Sequence, residues 1–407
     1  MVILGKELEG VSATRLPAPP LDGLSGAPGG LPLLQLTLAE QQERALMEAG
    51  VRFGDAPPSR GWVVVREDAY FTGKTVAAFL EQVGDEDAVA QLGGRSGGLA
   101  ADIGLSAPDE PLLAWLAGGG EVTDARLAAA RRIELDPEER LIELPVPADQ
   151  FGADVLELPL TERLLLPCGH WLQLLWANLL GMVPFLWRTL AGRNVAEVVW
   201  TIGLAVLRTG STRPERVAAR LGRRGKGCKI HPSAVVEGCW LGDGVEIGAS
   251  AVVRGCVLGD GAVVEDLAMA EFSVLAPGAR VQRQAMLKFS LACARASLGG
   301  VMQLGVLGEG AAVKRASQMM DMTFGQQVRV RHRGALVAAP LGLAGVCVGA
   351  RTLIGAGVQV AAGRTVPPDL HIVADANLVV RIPETIDAKR YTPRGGLLVP
   401  LDSKEAT

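Results

Sequence analysis

Three consecutive blocks of the chain align without a gap, and that repetition limits what the chain can fold into more than any other feature. Residues 230–246 read IHPSAVVEGCWLGDGVE, residues 247–263 read IGASAVVRGCVLGDGAV, and residues 264–280 read VEDLAMAEFSVLAPGAR. The first two are near copies, with Cys239 and Cys256 at the same place. Each 17-residue block divides into pieces of five or six residues led by an aliphatic: Ile230, Val236 and Leu241, then Ile247, Val253 and Leu258. Further on, Val330, Leu336, Gly342, Val348, Ile354, Val360, Val366, Ile372 and Leu378 are spaced six apart, as are Val301, Leu307 and Val313.

A helix turns about 100° per residue, so aliphatics six apart would face different ways. A flat strand needs a period of two. A period near six suits short strands joined at corners, three to a coil, each aliphatic pointing into a prism. Gly242-Asp243-Gly244 and Gly259-Asp260-Gly261 supply corner residues, because glycine accepts positive φ and Asp favours turns. Successive coils then stack about 4.8 Å apart through backbone hydrogen bonds. The spacing predicts a parallel β-helix over residues 228–385, with an ordinary β-sandwich as the alternative. Composition agrees: 49% of residues are hydrophobic but only 4% aromatic, and 51 are glycine, as small inward aliphatics and tight corners require.

The blocks IGASAVVRG and VGARTLIGAGVQVAAGRTVP resemble the bacterial hexapeptide-repeat transferases. The resemblance implies a left-handed β-helix, a homotrimer, and acyl-CoA as donor in clefts between subunits. Ahead of the repeats, PLLQLTLAEQQERALMEAGV is similar to the helix after the nucleotide loop of sugar-phosphate nucleotidyltransferases. VVVRED is similar to that family's strand leading to a metal-binding Asp, here Asp68. The order of the two halves is that of the bifunctional N-acetylglucosamine-1-phosphate uridylyltransferases/glucosamine-1-phosphate acetyltransferases. The stretch ILGKELEGVSATRLPAPP keeps Gly5, Gly10 and Arg15 but has no close Gly-x-Gly and no following Pro-Lys, and Glu67 stands where the family has Gly. A phosphate cradle needs those groups, so the N-terminal domain reads as a degenerate nucleotidyltransferase-like α/β domain, and Mg²⁺ at Asp68 is set against by the same departures.

The division expected is an α/β domain over 1–160, an apolar helical linker over 161–227, the β-helix over 228–385 and a tail over 386–407. Residues 1–30, rich in Pro and Gly, read as loop; residues 31–52 have helical periodicity; residues 61–68 read as a buried strand and GKTVAAFLEQV as a helix; residues 141–147 hold another strand. Residues 164–187 contain no Asp, Glu, Lys or Arg. A helix packed on the β-helix, a membrane-surface contact through 164–207 beside the basic run Arg213 to Lys229, and a membrane span all fit that composition, while Gln173, Asn178 and Pro184 make spanning costly.

Net charge is −4, which argues against a general nucleic-acid binder. Six cysteines form no CxxC pair, and with no signal peptide legible at the N-terminus this points to a reducing cytoplasm, with attachment to the inner membrane face as the variant. Acyl transfer needs a base that works near neutral pH, which His supplies. His170 reads as a packed core residue, His231 as part of the first-coil start IHPSA, and His371 as a solvated corner. His332, in VRVRHRGALV, is the candidate catalytic base. It should project outward past an inward Val330, with Arg329, Arg331 and Arg333 binding an anionic substrate. The function expected is acyl transfer to a sugar or nucleotide-sugar acceptor; the alternative is a non-catalytic trimeric scaffold or regulatory protein, associated with a membrane surface.

Overall fold

The computed structural model describes residues 11–21, 24, 26–54, 61–105, 111–118, 120–145, 155–191, 222–323, 327–373, 391–394 and 397–400. Gly5, Gly10, Leu378, residues 198–207 and Arg213, Arg216 and Arg220 lie outside them.

From residue 223 onward, two-residue and three-residue strands stack in parallel into three sheets of eight, eight and seven strands. Rows run straight up each sheet: Leu241, Leu258, Leu275 and Ala292 pair in sequence on one wall, and Val253, Ala270 and Leu287 on another. These inward residues are almost fully buried, each contributing roughly 1–3 kcal/mol. This is a three-walled parallel β-helix. At one corner, Cys239, Cys256, Ser273 and Ser290 occupy the same position in four coils, and each side chain donates to the carbonyl two residues before it.

Two parts of the six-residue series do not line the prism. Val301 is on the outer surface, and Met302 takes the inward place beside Leu287. Val330, Leu336 and Gly342 belong to no coil. After Gln318–Met319 the chain leaves the β-helix and forms an antiparallel hairpin, Arg329–His332 with Ala335–Ala338, before re-entering at Cys347–Val348. Val306 therefore pairs directly with Cys347. The spacing misled because six is also a multiple of the strand period of two. Val348 and Ile354 do face inward, fully buried.

The N-terminal region carries a six-stranded mixed sheet. Its parallel heart is Ser12–Leu16 beside Gly61–Arg66, so residues 12–16 are a strand and not loop. They read as loop because SATRL holds only two aliphatics, Ala13 and Leu16, between stretches rich in Pro and Gly. The helix expected over 31–52 is confined to Leu38–Glu48. Thr37 and Glu40 form a capping box that starts it there: Glu40 N–H donates to Thr37 Oγ1 at 3.3 Å, and Thr37 N–H donates to Glu40 Oε2 at 2.8 Å. Helix Gly73–Leu80 and strand Arg140–Pro145 fall where the sequence puts them.

A helix, Trp171–Ala191, packs against both halves. The wall of the β-helix that it covers is apolar on its outer side as well: Val257, Val274, Leu291, Val306 and Cys347 are buried with Trp171, Leu174, Leu175 and Met182 in one core. Trp171 to Phe185 spans about 21 Å, and the rows from Cys347 to Trp240 climb roughly 24 Å. The helix thus runs along about six of the eight strands of that wall, with the Phe185 ring edge-on to Trp240 at 5.9 Å. Asn178, buried on this helix, donates to Pro32 O at 3.1 Å and accepts from Leu34 N–H at 2.7 Å, tying the N-terminal region to it. Among the described residues, no helix is long and apolar enough to cross a membrane.

Candidate functional site

The first place to look is the crevice beyond the carboxyl ends of parallel strands, where open α/β sheets bind ligands. Here it lies past Leu16 and Arg66, where side chains of the domain itself are engaged with the strand ends. Glu67 Oε2 accepts from Ala18 N–H at 3.3 Å, and Gly29 packs against the same carboxylate. Gln42 holds the strand end by donating to Arg66 O at 2.8 Å and Ala69 O at 2.7 Å. Arg15 points away from any phosphate position: it donates to Gln42 Oε1 at 2.9 Å and lies over the Phe53 ring at 4.5 Å.

Asp68 is buried, and the Arg66 guanidinium grips it with two bonds, Nε to Oδ1 at 2.9 Å and Nη2 to Oδ2 at 2.6 Å. A carboxylate already neutralised by a guanidinium is a poor metal ligand. Among the described residues, no three His, Cys, Asp or Glu side chains converge as a metal site. The donor set around Asp68 does not fit Mg²⁺.

The second place is the hairpin. Alternation along Val328, Arg329, Val330, Arg331 and His332 turns the valines and His332 toward the core and Arg329 and Arg331 toward solvent. Arg333 and Gly334 make the turn with φ of 47° and 83°, the positive values a two-residue hairpin turn requires. His332 does not project outward. It is 8% exposed, and its ring meets the His170 ring edge-on at 5.3 Å. The coil position expected for it does not exist, because the strand carrying it belongs to the hairpin whose inner face packs on the bridging helix. His170 is fixed in turn: its Nδ1 accepts from Leu172 N–H at 3.2 Å, so Nε2 carries the proton and donates to Arg331 O at 3.2 Å. Burial, then the neighbouring His332, pushes His170 down to about 3.

The outward side of the hairpin is basic. Arg329, Arg331 and Arg333 are exposed, and Arg364 joins them from the coil beneath, its Nη1 donating to Arg329 O at 3.5 Å. No carboxylate among the described residues pairs with Arg329, Arg331 or Arg364, whereas arginines elsewhere on the β-helix, such as Arg254 and Arg351, lie in ion pairs. A scan against protein-family models and a search of curated proteins each found no match. The geometry of the chain is therefore what a functional reading rests on. Of the histidines, His231 and His371 are exposed, and His231 Nδ1 is taken up locally by Ser233 Oγ at 2.8 Å.

Sequence reasoning missed Arg364, which no local signal marks. It also missed the His170–His332 contact, which joins positions far apart in the chain. The hairpin was missed as well, although V-R-V-R-H followed by R-G, an alternating strand before a turn pair, is the signal that points to one.

Proposed function

We propose that this chain is a transferase of the hexapeptide-repeat, left-handed β-helix class that acts on a phosphate-bearing sugar or nucleotide-sugar, with acyl-CoA as donor and a homotrimer as the working assembly. The observation that supports it is the row of arginines Arg329 and Arg331 on the hairpin with Arg364 beside them, which have no carboxylate partner among the described residues on the outer surface of a β-helix. Guanidinium forks are suited to phosphate oxygens, and both proposed substrates carry them. Arg333 extends the row at the turn. In this reading the arginines hold the anionic part of donor or acceptor. His332, buried against His170, positions the hairpin and does not itself reach an acceptor in this conformation; the base is left unassigned.

The test is a panel of acyl-CoA donors and amino- or hydroxy-sugar phosphates, followed by release of free CoA thiol. Wild type should turn over at least one pair, and R329Q/R331Q/R364Q should raise KM by more than tenfold. No turnover across the panel overturns the reading in favour of a non-catalytic scaffold. A specific observation favours that second reading: at the strand ends of the N-terminal sheet Glu67 is taken up by Ala18 N–H, and Asp68 is spent on Arg66.

A further inference from the structure

The hairpin face that bears the arginines also bears an exposed leucine, and nothing so far accounts for it. In the antiparallel register Arg331 lies directly opposite Leu336, and Arg329 opposite Ala338. Directly opposed residues put their side chains on one face of a hairpin, so Arg329, Arg331, Leu336 and Ala338 share the outer face. Leu336 is 52% exposed. The opposite face carries Val328, Val330 and His332 and is buried. The hairpin is thus two-sided: one side is spent on holding it to the fold, and the other shows guanidinium groups around an aliphatic side chain.

That arrangement is held firmly. Pro340 and Ala339 at the hairpin base are buried, Leu341 N–H donates to Asp102 Oδ2 at 3.2 Å, and Gly363 packs so closely under the Arg329 carbonyl that a Cβ there would collide with it. A free phosphate would satisfy the arginines and leave Leu336 in water. A bilayer of anionic lipids satisfies both, since phosphates lie at the level of the guanidinium groups and the acyl boundary lies just beneath.

We infer that the outer face of hairpin 329–338 docks on an anionic membrane surface, with Arg329, Arg331 and Arg364 on lipid phosphates and Leu336 in the acyl boundary. The inference rests on the reading that this arginine row binds phosphate, and it places the phosphate-bearing substrate at a lipid surface. It needs no membrane-crossing helix.

The experiment is co-sedimentation of the full chain with vesicles of phosphatidylcholine alone or with about one third phosphatidylglycerol, run beside calorimetric titration with inorganic pyrophosphate. Wild type should sediment only with the anionic vesicles, and binding should weaken about fivefold for each of R329Q, R331Q and R364Q. Leu336→Ser, at an exposed position that leaves folding intact, should lose vesicle binding at least several-fold while keeping its pyrophosphate affinity. Pyrophosphate binding without vesicle binding, or a Leu336→Ser variant that sediments like wild type, overturns the docking inference alone. Vesicle binding without pyrophosphate binding keeps the docking and overturns a soluble phosphate substrate. Loss of both in wild type, or capture of a homopolymeric RNA in place of vesicles, overturns both.

Discussion

The His170 ring stands edge-on to the His332 ring, at an interplanar angle of 85° and a centroid distance of 5.3 Å. One residue ends the N-terminal region and the other lies on a hairpin that leaves the β-helix. Their contact, with the His170 bond to Arg331 O, is where the two halves of the chain and the basic face meet.

That contact predicts how stability depends on pH. His170 is pushed from an ordinary value of 6.5 down to about 3, first by burial and then by His332. The folded state therefore binds fewer protons than the unfolded chain between those values. The stability His170 gives is fully present above about pH 6.5 and is lost as pH falls toward 3. At about pH 4.5 the loss should be roughly 2–3 kcal/mol. Thermal midpoints of wild type and His170→Gln between pH 7.5 and 4.5 should converge as the solution is acidified; a constant gap would count against this.

Leu336 and Ile354 belong to the same six-residue series yet differ in fate, the first 52% exposed and the second fully buried inside the prism. Ile354→Ala should cost about 2–5 kcal/mol. Leu336→Ala should fall within about 0.5 kcal/mol of wild type. Urea titrations of both variants decide the matter, and equal costs would return Leu336 to the core.

The N-terminal domain should not release pyrophosphate from any nucleoside triphosphate and sugar-1-phosphate pair, because the carboxylates at its strand end are already engaged, Glu67 by Ala18 N–H and Asp68 by Arg66. Asp68→Asn should instead act on folding, destabilising by on the order of 3 kcal/mol through the guanidinium left half-paired in a buried place. Pyrophosphate release that Asp68→Asn abolishes would falsify this.

One of the two walls of the β-helix that the bridging helix does not cover carries Val235, Val252, Met269, Met286 and Val301 in one outward row, with Phe272 and Phe289 stacked at 5.2 Å along its edge. Beside the row, Glu237, Arg254, Glu271 and Lys288 neutralise one another. An apolar strip with its flanking charge already balanced suits burial against further copies. Light scattering should give three times 42.6 kDa, and M269E/M286E should reduce that to a single chain. A wild-type monomer at micromolar concentration removes the trimer.

The sequence alone determined the β-helix over the aligned blocks of residues 230–280 and the inward places of Val348 and Ile354. A coil's inward residue is dictated by local spacing, and near-identical blocks leave one way to stack. It also determined the buried strand that leads to Asp68, because a run of apolar neighbours marks such a strand locally. Whether Val330 and Leu336 lined the prism was beyond it, since a period of six contains a period of two. Only the tertiary structure decided that Arg66 takes up the Asp68 carboxylate, that His332 turns inward to His170, and that Arg364 joins Arg329 from another coil. The last two depend on which faces the bridging helix, the hairpin and the coils bury against each other. That choice is made by packing between segments far apart in the chain, and no local pattern encodes it.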